Sequence, residues 1–368
     1  MRAPKTYAKA ETVSPWLAPR GRGAVSNVSG RFEHQSREIV DDGWHITEEV
    51  KPLRTEVIDE APKHILTRNS SPDIPFDRSI NPYRGCEHGC IYCFARPSHA
   101  YMGLSPGLDF ESKLFAKPDA AMLLRRELAA KNYKVAPIAM GTNTDPYQPL
   151  EKDRGITREI LKVLLEYEHP VTLLTKSRLV VRDMDILVPM AEKGLVKVAL
   201  SVTTLDRRLA RLMEPRAATP QKRLDAIRLL SDAGVPTGVM FAPVIPALND
   251  HEMEAVLSAA AHAGAINAGF ILLRLPRELG PLFEEWLETH YPDRKDRVLG
   301  RLAAMRHGKL NDPRFKHRMK GTGLEAELMS LRFRNLCKRL KLNETRTMLD
   351  DTRFKKPVLS GGQYSLFN

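Results

Sequence analysis

The sequence predicts an α/β fold built on a parallel sheet. Three observations carry that expectation. Short β-rich apolar runs alternate with helical segments from Arg78 to His290. The connections between them are short, and glycine and polar residues gather where the runs end. Six such units point to an incomplete barrel, a partial (β/α)6 arrangement two units short of the eightfold form. A doubly wound open sheet is the competing arrangement. Either one gathers its chemistry at the carboxyl ends of the strands.

The elements follow in order. Arg78 to Arg84 reads as the first strand, leading into a cysteine-rich loop. Ala120 to Ala130 is helical, and Val135 to Met140 is the second strand, ending at Gly141-Thr142-Asn143-Thr144-Asp145-Pro146. Ile156, Ile160, Val163, Leu164 and Tyr167 keep helical spacing. Val171 to Thr175 is the third strand, and Met184 to Lys193 the helix after it, stopped by Gly194. Val196 to Val202 is the fourth strand. Leu224, Ile227 and Leu230 share the next helical face, Thr237 to Phe241 opens the fifth strand, and Met253, Val256, Leu257 and Ala260 line another helix. Ala268 to Leu273 is the sixth strand, and Leu282 to His290 the last helix of the alternation.

Flanking segments divide the chain. Residues 1–45, with Pro19-Arg20-Gly21-Arg22-Gly23, read as a flexible basic arm, and 46–77 as an irregular lead-in. The alternating core spans 78–290. Residues 291–368 form a basic helical C-terminal extension, with Leu324 to Leu342 as its helix.

The 368 residues are 42% apolar and 28% charged, which supplies a core and excludes wholesale disorder. Four cysteines cannot make a disulfide framework, and three of them crowd into one loop, so a metal site in a reducing compartment is expected. No signal-peptide run opens the chain, and the longest apolar stretch, Val256 to Leu273, is broken by Ser258, His262 and Asn267. The expectation is a cytoplasmic protein with no membrane partner. Lys and Arg total 57 against 45 acidic residues. Most of that excess lies in the last segment, Tyr291 to Asn368, with 19 basic and 8 acidic residues. A tail of this kind suits a polyanion such as nucleic acid, or serves as a solvated surface.

The chemistry concentrates in Gly85-Cys86-Glu87-His88-Gly89-Cys90-Ile91-Tyr92-Cys93-Phe94. Three thiolates on one loop can hold three irons of a cubane cluster and leave the fourth open. Gly85 and Gly89 let the backbone turn so that the sulfurs converge. Zinc held by these cysteines with His88 or His99 is the other reading, although zinc modules pair Cys-x2-Cys half-sites and one pair is present. Cys337, far along the chain, reads as a small packing thiol.

This Cys-x3-Cys-x2-Cys motif, with an aromatic before its third cysteine, resembles that of the radical S-adenosylmethionine (SAM) superfamily. The likeness runs from Arg78 to about Leu275. Within it, Asn81-Pro82-Tyr83-Arg84-Gly85-Cys86, Gly141 to Gln148 and Thr175-Lys176-Ser177 look like the spore-photoproduct-lyase branch. The resemblance implies a TIM-like partial barrel, a [4Fe-4S] cluster on Cys86, Cys90 and Cys93, and SAM bound at the open iron. It implies reductive cleavage of SAM to methionine and a 5′-deoxyadenosyl radical, with electrons from a flavodoxin or ferredoxin type of donor. It places Tyr92 near the adenine. Gly141, Thr142, Asn143 and Thr144 fall at the SAM amino group, Lys176 at the carboxylate, and Ser201 at the ribose or carboxylate.

Two departures stand out. The spore lyases carry a hydrogen-donor cysteine near Ala139-Met140-Gly141 and a tyrosine where this chain has Phe94. A lyase relay through those groups is therefore not expected, and the substrate stays open, with nucleic acid preferred. The rival functions are a non-catalytic nucleic-acid-binding protein stabilised by its metal, and an iron–sulfur electron carrier. Arg216 is a candidate to meet an acidic substrate or the SAM carboxylate, or else stands exposed after the break at Pro215, and Asn249-Asp250 looks like a helix cap.

Overall fold

Runs of valine, isoleucine and leucine can bury both faces only in a sheet covered on both sides. In the computed structural model, described for residues 21–33, 53–345 and 347–357, six such runs pair side by side. The strands are β1 (Glu56–Asp59), β2 (Leu66–Arg68), β3 (Arg78–Ile80), β4 (Tyr83–Arg84), β5 (Lys113–Ala116), β6 (Ile138–Met140), β7 (Val171–Thr175), β8 (Val196–Ser201), β9 (Thr237–Val244) and β10 (Asn267–Leu272). The large sheet has the order β2-β3-β6-β7-β8-β9-β10. Only β2 runs antiparallel to its neighbour.

Leaving out β4 and β5, which belong to the small sheet, each strand from β3 to β10 lies beside the next one in the chain. A doubly wound sheet would reverse direction at a switch point, and this one does not. It is the wall of a partial (β/α)6 barrel that stays open, because β2 and β10 are edges that do not pair with each other. A small sheet, β1-β5-β4, stands beside it.

The helices are α1 (Asp109–Ser112), α2 (Ala120–Leu128), α3 (Glu151–Arg154), α4 (Ile156–Glu166), α5 (Met184–Glu192), α6 (Arg207–Met213), α7 (Pro220–Asp232), α8 (Met253–His262), α9 (Leu279–His290), α10 (Pro292–Ala304), α11 (His317–Lys320) and α12 (Leu324–Arg339). The longer helices bury an apolar stripe; in α4, Ile156, Ile160, Val163 and Leu164 are all buried. No helix among the described residues is long and apolar enough to cross a membrane.

Some boundaries differ from expectation. The expected first strand splits into β3 and β4, which belong to different sheets. Pro82 stands between them and offers no N–H to a ladder. The second strand starts at Ile138 rather than Val135, after Pro137. The lead-in expected to be irregular contains β1 and β2. Asn249 does not cap a helix. Its amide cross-links strand ends, accepting from Ile245 N at 2.6 Å and donating to Thr203 O at 2.8 Å and Pro243 O at 3.0 Å.

The flexible arm is also corrected where it is described; residues 1–20 and 34–45 lie outside the described residues. Residues 21–33 pack against the barrel, and Gly23 N and Ala24 N each donate to the Glu111 carboxylate at 2.8 Å. Gly23 is there for close approach rather than looseness, since a Cβ would fall 1.7 Å from Gly89 O.

Candidate active site

The cysteine loop leaves β4 at the carboxyl end of the sheet. Gly85 (φ +74°) and Gly89 (φ +66°) both take the left-handed backbone that the turn requires. Cys86 N donates to Phe110 O at 2.9 Å, and Cys93 N to Cys90 O at 3.1 Å. Beneath the loop lies Arg96, fully buried. It donates to Cys90 O (2.9 Å), Gly89 O (3.1 Å), Pro106 O (3.1 Å) and Gly107 O (2.8 Å), and pairs with Glu111. The guanidinium fork thus fixes the carbonyls of the loop from below.

Cys86 and Cys90 are buried, and Cys93 is partly exposed. Burial, then the negative charges of Asp145 and Cys90, push the Cys86 thiol well up. Burial also raises Cys90, to about 12, against the pull of Lys176. Neighbouring thiols that oppose one another's ionisation are a donor set that needs cationic charge among them. Among the described residues, no three His, Cys, Asp or Glu side chains gather as ligands of a single metal ion. A cubane differs, because each of three irons takes one thiolate. The residues present fit that group better than they fit zinc.

The loop after β6 closes one side. Gly141 (φ +92°) admits no other residue, since a Cβ would meet Leu174 O at 2.0 Å. Thr142 Oγ1 donates to Asn81 Oδ1 at 3.2 Å, Asn143 N to the same oxygen at 2.9 Å, and Thr144 Oγ1 to Tyr83 O at 3.2 Å. These residues tie the second-strand loop to the root of the cysteine loop. Asp145 completes the tie. It accepts from Thr175 Oγ1 at 2.6 Å and Lys176 N at 2.7 Å, and lies 3.3 Å from His88 Nδ1. Burial would raise its pKa, but His88 and these hydrogen bonds bring it down to about 2.

The opposite wall is a buried charge network. Glu214, after α6, pairs with Arg223 on α7 and takes hydrogen bonds from Tyr92 OH and, at 2.6 Å, from Thr203 Oγ1. Burial opposes its ionisation, yet Arg223 and Lys176 hold its carboxyl down to about 2. Lys176 Nζ stands 5.7 Å over the Tyr92 ring. Burial alone would lower the Lys176 pKa, and the neighbouring Cys90 and Glu214 raise it instead.

Cys90, Tyr92 and Lys176 are therefore brought together, and the Gly141 loop packs on the end of β7 that carries Lys176. Ser201 is buried at the end of β8, where its carbonyl accepts from Arg223 Nη1 at 3.0 Å. Arg216 stands exposed, as one of the two expectations had it, and pairs with Glu87 of the cysteine loop at 2.8 Å. Cys337 lies at the other end of the sheet. Its sulfur accepts from Asn343 Nδ2 at 3.6 Å, and Asn343 in turn pairs with both backbone groups of Ala268, near the start of β10. The network residues Glu214, Arg223 and Asp145 were not among the expected site residues, and His88 entered only as a ligand in the zinc reading. Long-range partners leave no spacing signal in a sequence.

Residues 80–260 match the model of the Radical SAM superfamily. This is a radical SAM domain. The superfamily implies SAM and an iron–sulfur cluster as its cofactors. Among relatives, an uncharacterized protein of Mycobacterium tuberculosis (strain ATCC 25618 / H37Rv) is 37% identical over 222 residues, 60% of this chain and 65% of that protein. One from Methanocaldococcus jannaschii is 29% identical over 229 residues, 62% of this chain and 82% of the other. The chain thus matches just under two thirds of its mycobacterial relative's length. Among solved structures, a cysteine-to-serine variant of spore photoproduct lyase superposes with a TM-score of 0.55 at 16% identity, covering 84% of this chain and 86% of that one. The radical SAM domain and its flanks therefore share the lyase's fold.

Proposed function

We propose that this protein is a radical SAM enzyme. In this reading Cys86, Cys90 and Cys93 hold a [4Fe-4S] cluster. The single observation that carries it is three cysteines, two of them buried, gathered on a pinned loop at the strand-carboxyl end of a radical SAM domain. When bound, the cluster and SAM would supply reductive cleavage of the sulfonium and, through it, hydrogen-atom abstraction from substrate. The electron comes from a low-potential donor of flavodoxin or ferredoxin type.

The chain's own residues bind and orient. Lys176, cationic beside Cys90, is the group for the SAM carboxylate. Tyr92, its hydroxyl anchored on Glu214, offers a ring face for the adenine. Gly141 lets the backbone approach, and Thr142, Asn143 and Thr144 retain lone pairs for the ammonium. Ser201 offers its hydroxyl to the ribose or carboxylate. The substrate class we favour is nucleic acid, on the grounds of the net charge of +12 and its concentration in the C-terminal segment.

The test is anaerobic reconstitution with iron and sulfide, then dithionite and SAM, with 5′-deoxyadenosine read by chromatography. Formation in the native chain and none in Cys90→Ala is the expected result. A colourless zinc protein that makes none would overturn the enzyme and favour a metal-stabilised binding protein.

A further inference from the structure

Large aromatic side chains left in solvent are uncommon enough to question. Among the described residues four are exposed: Phe32 (52%), Phe94 (43%), Tyr101 (66%) and Phe315 (49%). All four carry an arginine guanidinium over the ring. Arg31 lies 5.3 Å from the centre of Phe32 and 5.5 Å from that of Tyr101, and Arg274 lies 4.4 Å from Phe94. Arg318 lies 5.0 Å from the centre of Phe315.

These groups are linked into one surface. The Phe32 and Tyr101 rings are 5.3 Å apart, and the Tyr101 hydroxyl accepts from Arg277 at 2.9 Å. Arg274 and Arg277 both lie in the connection between β10 and α9. Arg274 is close enough to Arg318 for the two to repel. Phe94 is the residue after Cys93, so the surface begins at the cysteine loop. Arg31 is neutralised by Glu278, whereas the Arg274 guanidinium has no hydrogen bond or ion pair among the described residues.

Such a surface has a specific chemical use. An aromatic ring backed by a cation on one side presents its other side to a planar partner, and an unpaired guanidinium suits a phosphate. An unpaired nucleotide strand offers both, a base face and a backbone charge at each step. A duplex hides its base faces. An acidic peptide offers the charge without the planes.

We propose that the arginine-backed aromatics at the rim beside β10 form a platform for single-stranded nucleic acid, leading an unpaired base toward the cysteine loop. The proposal rests on the reading above that nucleic acid is the substrate.

The test uses the reconstituted full chain and a short fluorescein-labelled single strand, followed by anisotropy, in DNA and RNA versions and as a duplex. Binding to the single strand should be tighter than to the duplex. Tyr101→Ala, at a side chain too exposed to endanger folding, and Phe94→Ala should each weaken it roughly 5- to 100-fold. Arg274→Gln should reduce the slope of log affinity against log salt by about 0.7, the loss of one phosphate contact. Arg228→Gln, on the outer face of α7, should change nothing. Equal binding of duplex, no response to the rim variants, or binding only of an acidic peptide would overturn the platform. The two readings fail separately. 5′-Deoxyadenosine without rim-dependent binding overturns the platform alone, and rim-dependent binding without 5′-deoxyadenosine overturns the enzyme alone.

Discussion

The two ends of the sheet are built in different ways. At the carboxyl end, charged groups are buried in pairs. Arg96 with Glu111, and Arg223 with Glu214, have side chains no more than 1% exposed. At the amino end the C-terminal segment lies across the barrel floor as an extended strap. Asp350 N donates to Gly194 O and Lys355 N to Tyr167 O, both at 2.9 Å. Phe354 covers the His169 and Tyr133 rings, and Lys355 keeps its side chain largely in solvent while pairing with the buried Glu168 carboxylate. Buried ion pairs add little net stability, and apolar residues of similar shape often serve better. The floor takes the less costly solution. The mouth does not, and the difference marks charge there as a requirement for holding the cysteine loop, Tyr92 and Lys176 in place.

The sharpest way to break this comparison is to remove one partner of a buried pair. Arg223→Met leaves Glu214 ionised and buried with only Lys176 for compensation. It should cost about 3–5 kcal/mol in urea unfolding. Replacing Arg223 and Glu214 together with apolar residues should restore much of that stability while the 5′-deoxyadenosine yield stays low. A loss below about 1 kcal/mol for Arg223→Met would mean that the pair behaves like a surface one.

Glycines at the two ends should differ in the same direction. Gly141 at the mouth (φ +92°) has no room for a Cβ, while Gly234 near the floor (φ +79°) has nothing within 4 Å of one. Gly234→Ala carries only the left-handed backbone penalty, about 1 kcal/mol. Gly141→Ala adds a clash with backbone that cannot give way, for a total of about 2–4 kcal/mol. Equal losses in thermal unfolding would show that the loop after β6 yields as readily as a floor turn.

How much of this was legible depended on the range of the interaction. Strands such as Val171–Thr175 followed from local pattern, because a sheet buried on both faces selects the same residues everywhere. The cysteine loop was legible because its ligand spacing is itself local. Arg96, Glu111, Glu214 and Arg223 were not, since each is defined by a partner on another element, and a single buried charge looks the same in sequence as an exposed one. The packing of residues 21–33 was hidden for a related reason. Gly21-Arg22-Gly23 has the composition of a linker, and only the position of Gly89 O shows that Gly23 is required.

The smallest expected effect tests the floor itself. His169 Nδ1 lies 3.0 Å from Pro170 O, which can only accept, so the proton sits on Nδ1. Nε2 then accepts from the Tyr133 hydroxyl at 2.7 Å. Burial holds the His169 pKa down to about 4, below its value of about 6.5 in an unfolded chain. The folded state therefore keeps the ring neutral while the unfolded state takes up a proton, and stability falls as pH drops from about 6.5 toward 4. The loss between pH 7 and 5.5 should be about 1 kcal/mol. His99 at the mouth is held near 4 by burial in the same way. His169→Gln should thus reduce the slope of unfolding free energy against pH rather than abolish it, and adding His99→Gln should reduce it further, leaving the contribution of His290, whose ring burial also holds below its usual value. A slope unchanged by His169→Gln would mean that the strap leaves this ring open to water, and that the floor is held by its backbone hydrogen bonds alone.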